Sequence, residues 1–542
     1  MSILFKQINF YTLFQVLIKN KVVFYLLFFI LYFLVFYFDE LNISFLVFIF
    51  NNLFLILFSF IFFYFLITFK GLKWEILYIS LGLGVINGLW IIFLFKYINW
   101  IYAFLGFVLA AFILSIFWYF KFIFFYLVFA KFKGKFFPTT FTTKFINNLV
   151  IYFFLSIFFS FYYVFIEFIQ YNLKDLDMSF CMTYFTQSSN YFFFWLFKIN
   201  PFLVTFITIF IVTFLAFILS ELFISLESRK TNYQLNTQEN QIKEISKNYF
   251  YLIGFLFSIY FIVNFFSYIY FKAISKNKVL LLENKLIKDN VEFILISTNV
   301  DSYFNEFNKR NYEELFNKLR KITKEVYNEK EKIKVLLIPE GALIKNYDTL
   351  FYLENNKNTK LFDIFSEFVF EYLVFNTIAV DRDFNIYNSI VLYNKQERKF
   401  NFYLKRYLVP FGEYYPNWFL KIFGFLDIDN LKYKSYSSGF YFKDNQNYFK
   451  IFKIKDINFK VLICFESFKY EMRSDIDKKI DFILVSSNDM WFKNLFMDSL
   501  HLKSIKILSI YIDLPVIFNA NGNKNVVISI SNFSSLRNIK IY

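Results

Sequence analysis

Seven apolar runs, at roughly 22–38, 44–69, 75–96, 100–131, 148–170, 202–226 and 249–272, fill the first half of this 542-residue chain. A helix needs about 20 apolar residues to cross the hydrocarbon core of a bilayer. Inside that core every backbone polar group has to be satisfied within the structure, which leaves helices as the spanning element for runs of this kind. Residues 1–273 therefore read as a multi-span α-helical membrane domain of about seven helices. The first run is short, Asn51-Asn52 interrupts the second, and the fourth is long enough to tilt, so the count carries an error of one. Glu167 and Glu221 fall near run ends, where a long side chain reaches toward the interface. No row of buried charges of the kind a transport pathway uses is expected.

Orientation follows from the basic residues of the connecting loops. With the N-terminus inside, thirteen lysines and arginines fall in inner segments, and only Lys96, Lys174 and Lys198 fall in outer ones. Seven spans then place everything after residue 272 on the outer face of the cell (inner) membrane, in the periplasm of a two-membrane cell. The start, Met1 to Lys21, carries Lys6, Lys19 and Lys21 before a run too long for a signal peptide, so no cleavable leader is expected.

The formal net charge of +16 does not point to nucleic acid, because the lysines are scattered singly rather than gathered into a basic stripe. Two cysteines, Cys181 and Cys464, lie far apart without a CxxC pattern, so neither a disulfide framework nor a zinc site is expected. The single histidine, His501, argues against histidine-rich metal chemistry and against a Ser-His-Asp triad. Covalent thiol chemistry needs no metal or organic cofactor, and none is expected.

Residues 274–542 carry charges throughout and alternate strand-like with helix-like segments, which argues an α/β sandwich. Val291 to Val300 reads as a strand and Tyr303 to Tyr327 as a helix. Lys334 to Ile338 reads as a second buried strand, helix-like Lys360 to Tyr372 leads into a strand at Val374 to Val380, and Asn388 to Tyr393 with Asn401 to Leu404 suggests a hairpin. Val461 to Cys464 and Asp481 to Ser486 are further strands. Three of these strands deliver unusual residues at their ends: Glu340 after Leu336-Leu337-Ile338-Pro339, Lys405 after Asn401-Phe402-Tyr403-Leu404, and Cys464 after Val461-Leu462-Ile463. Taken singly, Cys464 reads as a small packing residue, and Glu340 and Lys405 as solvated charges. Together they supply a thiol, a base to ionise it and a cation for an oxyanion.

Pro339-Glu340-Gly341, Lys405 with Leu408-Val409-Pro410-Phe411-Gly412-Glu413, and Ile463-Cys464-Phe465-Glu466 stand in the order of the Glu-Lys-Cys triad of the nitrilase (carbon-nitrogen hydrolase) superfamily, which this half resembles. The LVPFGEYYP stretch and Ser487-Asn488-Asp489-Met490-Trp491-Phe492 resemble one branch, the apolipoprotein N-acyltransferases, which also place several membrane spans before an extracytoplasmic nitrilase-like domain. The resemblance implies an αββα sandwich over residues 274–542. It implies Cys464 as nucleophile, Glu340 as general base, Lys405 as oxyanion stabiliser and Glu413 as a second pocket carboxylate, with Phe465, Glu466 and Trp491 flanking the substrate. The implied reaction moves a fatty acyl chain from a phospholipid, through a cysteine thioester, to the N-terminal amine of a diacylglyceryl apolipoprotein, in a monomer that binds no nucleic acid. The chain departs from the family at Tyr407 (usually His), at Ser297 (usually Gln, although Asn299 is kept), at Phe307 (the aromatic nearest to a missing Trp), and at Leu508 and Tyr511 (usually Arg and Glu). Pro515 and Asn521-Gly522 are kept, and no final span precedes Tyr542. The other readings are a membrane-anchored amidase or nitrilase that passes the acyl group to water, and a catalytically silent membrane scaffold.

Overall fold

The computed structural model describes residues 20–37, scattered positions between 55 and 65, and residues 72–92, 100–136, 145–173, 182–188, 190–231, 236–298, 308–326, 332–342, 351–352, 368–410, 412–414, 421, 451–473, 479–492, 497–523, 525–529, 532–534 and 536–542. Asn51-Asn52, Cys181, Asn299, Phe307 and most of the Lys360 to Tyr372 stretch lie outside the described residues, as does much of the second apolar run.

Apolar runs become helices: α1 (Lys21–Tyr37), α2 (Leu72–Ile92), α3 (Trp100–Phe136), α4 (Phe145–Asn172), the short α5 (Phe194–Ile199), α6 (Pro201–Thr231) and α7 (Asn236–Lys288). Among the described residues, four helical stretches are long and apolar enough to cross a membrane: Phe104–Leu127, Asn148–Asn172, Pro201–Glu221 and Tyr251–Lys288. The packing of α4 shows how one helix serves two environments. Tyr152, Ser156, Phe159, Tyr163 and Glu167, spaced three or four apart, face inward, while Phe154, Phe158, Phe161 and Phe165 form an outward apolar stripe that a bilayer would solvate.

The expectation that Glu167 and Glu221 reach toward the interface is corrected. Glu167 is wholly buried and pairs with Lys121 of α3, Nζ to Oε1 at 3.1 Å. The same carboxylate accepts hydrogen bonds from Thr183 N (2.9 Å), Thr183 Oγ1 (2.6 Å) and Thr205 Oγ1 (3.0 Å). The Lys121 ammonium lies 4.4 Å from the Trp118 ring centre and 4.9 Å from that of Tyr163. Glu221 is likewise buried, accepting from Tyr152 Oη and, at 3.3 Å, from Asn148 Nδ2. In a low-dielectric interior a charge persists only where partners replace water, and here each finds them in a neighbouring helix.

Helix α7 has 53 residues, about 80 Å at 1.5 Å per residue, far more than a bilayer core of about 30 Å requires. It runs unbroken through residue 273 and delivers the chain to the first strand, with only Asp289 and Asn290 between. The second half then builds two sheets. In chain order the strands are β1 (Val291–Leu295), β2 (Ile333–Leu337), β3 (Phe351–Tyr352), β4 (Tyr372–Val380), β5 (Ile386–Asn394), β6 (Lys399–Leu404), β7 (Ile451–Ile454), β8 (Ile457–Ile463), β9 (Phe482–Asn488), β10 (Val516–Asn521), β11 (Val526–Ser529), β12 (Asn532–Ser534) and β13 (Ile539–Ile541). One sheet runs β13-β1-β2-β4-β5-β6 with β3 beside β4, and the other β12-β11-β10-β9-β8-β7. Strands β1, β2 and β4 of the first sheet run parallel to one another, as do β8, β9 and β10 of the second, while β4–β5, β7–β8 and β10–β11 pair antiparallel.

Alternation along these strands fixes the layers. Val461, Ile463, Phe482, Leu484 and Ile517 of the second sheet meet Val291, Phe293, Leu295, Val335 and Leu337 of the first in one core. The outward residues Ile294, Ile296 and Leu336 pack on Leu315, Leu319 and Ile322 of helix α8 (Asn308–Val326). Leu462, Ile483, Val485 and Phe518 pack on Leu502, Ile505 and Leu508 of helix α9 (Met497–Ile512). Helix, sheet, sheet, helix is the αββα sandwich expected.

Helix α9 is apolar on a second side as well. Leu500, Ile507 and Ile510 join Phe465, Phe468 and the core of the membrane helices in one cluster. Polar contacts cross the same seam. Tyr171 Oη of α4 donates to Glu471 at 2.5 Å, and Asp513 at the end of α9 receives Lys198 at 3.2 Å and Lys278 of α7 at 3.3 Å.

Candidate active site

Strands β8 and β2 end at the same edge of the sandwich, where a Thr298–Asn521 bridge ties the two sheets together. The carboxyl ends of parallel strands are where open α/β sheets gather their chemistry. At the end of β8 the chain turns sharply into a 3-10 helix, Cys464–Phe468. Cys464 makes the turn at φ +48°, a left-handed conformation that strains a side-chain-bearing residue. At the end of β2 the turn falls to Gly341 at φ +77°, which costs glycine little.

The charged residues that the motifs singled out converge. Lys405 Nζ donates to Glu413 Oε1 at 2.9 Å and stands 3.9 Å from Glu340 Oε1. Asn388 Nδ2 on β5 donates to both carboxylates, at 2.8 Å to each. Its amide is oriented by Asn376 of β4, which donates to Asn388 Oδ1 at 2.7 Å. Glu340 Oε2 accepts from the backbone N of Asn488 at 3.0 Å, and Glu413 Oε2 from Val409 N at 2.8 Å. Glu340, Lys405 and Glu413 are all buried and Cys464 is partly so. Register puts Ile463 beside Ser486 at the end of the β8–β9 ladder, so Ser487 comes near the thiol, whose pKa it lowers.

The electrostatics follow from this crowding. Burial pushes the Cys464 thiol up, the Glu340 carboxylate pushes it further, and Lys405 and Ser487 pull it back only partly. The thiol therefore rests protonated. Burial also raises the Glu340 carboxyl above the usual carboxylate range; Lys405 opposes the shift and Glu413 adds to it. Burial alone would lower the Lys405 ammonium, but Glu413, Glu340 and the thiol outweigh it, and the ammonium stays charged. A protonated thiol, a carboxyl with raised basicity and a fixed cation form a general-base site for a nucleophile that ionises as it attacks.

The flanking residues have other surroundings. Glu466 is wholly buried and accepts from Ile463 N (2.8 Å), Arg406 N (2.7 Å), Tyr407 N (3.2 Å) and Tyr403 Oη (2.8 Å). It ties the segment after Lys405 to the segment carrying Cys464. Phe465 packs toward the membrane helices with Phe468 and lies 5.5 Å under the Lys469 ammonium. Trp491 lies in the 3-10 turn Asp489–Phe492, and its side chain falls outside the described residues. Asn388 and Asn376 are singled out by no motif, and Ser487 stands in one without a role of its own. An asparagine inside each of two largely apolar strands, Asn376 on β4 and Asn388 on β5, is the signal that could have found those two. Among the described residues no cluster of His, Cys, Asp and Glu is arranged to hold a metal ion.

The four layers make this half an αββα sandwich domain that follows a set of membrane-length helices. No family model matches the chain. Over 164 residues it is 29% identical to an apolipoprotein N-acyltransferase of Pasteurella multocida (strain Pm70), a stretch covering 29% of this chain and 30% of that protein. The match thus spans less than a third of the relative's length. Among solved structures, the carbon-nitrogen hydrolase of Helicobacter pylori G27 aligns at 15% identity over 45% of this chain and 83% of its own, with a TM-score of 0.29. A mutant amidase from Nesterenkonia sp. AN1 aligns at 10% identity over 44% and 86%, with a TM-score of 0.28. At such TM-scores these alignments carry no weight, and the fold rests on the strand order and layers above. In sequence, the chain resembles the apolipoprotein N-acyltransferases.

Proposed function

We propose that this chain is a membrane-embedded acyltransferase that moves a fatty acyl chain from a phospholipid, through a thioester on Cys464, to the N-terminal amine of a diacylglyceryl apolipoprotein. The observation that carries the reading is the buried Lys405 cation between Glu340 and Glu413 at the edge where Cys464 ends its strand, on a domain packed against membrane-length helices. In the first half-reaction Cys464 Sγ attacks the ester carbonyl as Glu340 takes the thiol proton. The Lys405 ammonium faces the oxyanion. The C–O bond breaks, Glu340 returns the proton to the departing lysophospholipid alkoxide, and the thioester remains. In the second, the amine attacks the thioester, Glu340 takes the amine's proton and passes it to the leaving sulfur, and an amide is released. The catalytic domain would lie on the outer, or periplasmic, face, where lipoprotein N-termini are displayed. The proposed protein acts as a monomer and without a cofactor or nucleic acid.

The test is intact mass after incubating the detergent-solubilised protein with phospholipid. The wild type should gain one acyl group and lose it to a diacylglyceryl-peptide amine; Cys464→Ala should gain nothing. Discharge to water alone would support an amidase-type hydrolase instead, and no adduct in folded protein would support a silent scaffold.

The same assay reads the base. Thioester formation should climb with pH as Glu340 deprotonates, with a midpoint above the usual glutamate value of about 4.3, because its carboxyl is raised. Glu413→Gln removes a negative charge beside Glu340, which favours the ionised carboxylate, so the acid limb should move to lower pH. A limb that stays in place, or moves up, would refute Glu340 as the titrating base.

A further inference from the structure

Behind the nucleophile a row of buried side chains runs from the end of β9, through α9, to the turn after Cys464. Ser487 Oγ donates to Asp489 Oδ1 at 2.5 Å. The same Asp489 oxygen lies 2.9 Å from His501 Nδ1, and His501 Nε2 lies 3.0 Å from Ser467 Oγ. Ser467 is in turn 3.0 Å from Ser504 Oγ, which donates to His501 O at 2.7 Å. Asn523 Nδ2 donates to Asp489 Oδ2 at 2.7 Å. The imidazole is held in place by Phe468, stacked at 5.4 Å, and by Phe518, edge-on at 5.0 Å.

Ser467, His501 and Asp489 have the spacing of a Ser-His-Asp triad, which the lone histidine had argued against. Ser467 is only 4% exposed, however, and its hydroxyl is enclosed by His501 and Ser504. The ends of the row matter more than its middle. Ser467 belongs to the 3-10 helix that Cys464 opens. At the other end, between Ser487 and Asp489, Asn488 holds Glu340 Oε2 through its backbone N–H at 3.0 Å.

The proton inventory closes in either charge state of the ring. Burial alone would raise the Asp489 carboxyl, but the His501 ring and the hydrogen bonds outweigh it and hold it below its usual range, ionised. A neutral ring donates from Nδ1 to Asp489 and accepts at Nε2 from Ser467. A charged ring donates at both nitrogens, and Ser467 then turns its own proton to Ser504. No donor is stranded, so the link between the two turns survives both states.

We propose that His501 is a positioning residue that bolts the turn carrying Cys464 to the strand end that holds Glu340, setting the distance between nucleophile and base. The inference rests on the thiol chemistry proposed above. It differs from a simple packing role because the ring spans two turns with opposite ends of one proton transfer. A displacement of about 1 Å in such a pair costs on the order of 10²-fold in rate.

The test uses the full chain in detergent with Cys181→Ser, so that Cys464 is its one thiol. His501→Ala, His501→Gln and Ser467→Ala are compared for thioester formation from phospholipid and for alkylation of Cys464 by iodoacetamide. His501→Ala should slow thioester formation about 10²-fold at unchanged KM for the phospholipid. Gln carries an amide donor and acceptor, and should recover about tenfold of that loss, because it restores a bridge between the turns. Ser467→Ala should fall between these two and the wild type. A folded His501→Ala protein with the wild-type rate overturns the proposal. So does a loss that only tracks the folded fraction and is not rescued by Gln. If the wild type forms no thioester with any phospholipid, the acyl-transfer reading fails. The alkylation rates, slowed by His501→Ala and recovered by His501→Gln or not, then decide the bolt on their own.

Discussion

Lys405→Met should remove thioester formation almost completely and weaken the fold at the same time. The activity loss is expected at about 10²–10³-fold or more, the usual effect of deleting one oxyanion donor. The structural loss has a separate cause. Without the ammonium, Glu340 and Glu413 are two buried carboxylates served by one shared Asn388 amide and two backbone N–H groups. Breaking a buried ion pair from one side costs about 3–5 kcal/mol, so the detergent-solubilised protein should melt well below the wild type. Adding Glu413→Gln to Lys405→Met removes one of the two stranded carboxylates, the one in direct contact with the ammonium. The double variant should recover much of the melting temperature and none of the activity. A Lys405→Met protein that still acylates at more than a tenth of the wild-type rate would remove the lysine from the chemistry. A double variant as unstable as the single would show that Glu413 is not its ionic partner.

The second large effect is expected far from the thiol. Lys121→Met leaves Glu167 as a carboxylate among helices, with three neutral donors from Thr183 and Thr205. The expected cost is again about 3–5 kcal/mol. Glu167→Gln should be milder. It keeps an oxygen for Thr183, and the Lys121 ammonium retains the faces of Trp118 and Tyr163, a contact worth about 2 kcal/mol when desolvated. Lys121→Met with Glu167→Gln should be more stable than Lys121→Met alone. Thermal melts in detergent, arranged as a double-mutant cycle, read the coupling directly. Effects that simply add would mean the pair is spectator to the fold. The damage should also reach the catalytic half, since Thr183 anchors the turn that carries Phe185 against Phe468.

Much of this architecture is legible in the chain. The apolar runs announce membrane helices because hydrocarbon imposes its length on whatever crosses it. Glu340, Lys405 and Cys464 stand out because each is a chemically active residue at the end of an apolar strand. What stayed hidden depends on which residue faces which. Asn388 looks like an ordinary strand residue until the pairing of β5 with β4 and β6 sets it between two carboxylates. Ser487 comes near Cys464 only through the register of β8 and β9, which pairs Ile463 with Ser486. Lys121 and Glu167 are 46 positions apart, and whether two such charges meet depends on how α3 and α4 are rotated about their axes. Glu466 stands inside a motif, but the backbone N–H groups and the Tyr403 hydroxyl that its carboxylate accepts from are visible only in the fold.

Helix α9 carries a last consequence. Most helices that cover a sheet turn a polar back to water, but this one presses Leu502, Ile505 and Leu508 on the sheet and Leu500, Ile507 and Ile510 on the membrane helices. Its outer layer is therefore shared property: the wall of one half is the ceiling of the other. The α/β half is not a module that a lineage could shed from its anchor and release as a free enzyme, because the surface left behind would be greasy where it should be wet. Evolution of this chain has to change the two halves together along that helix.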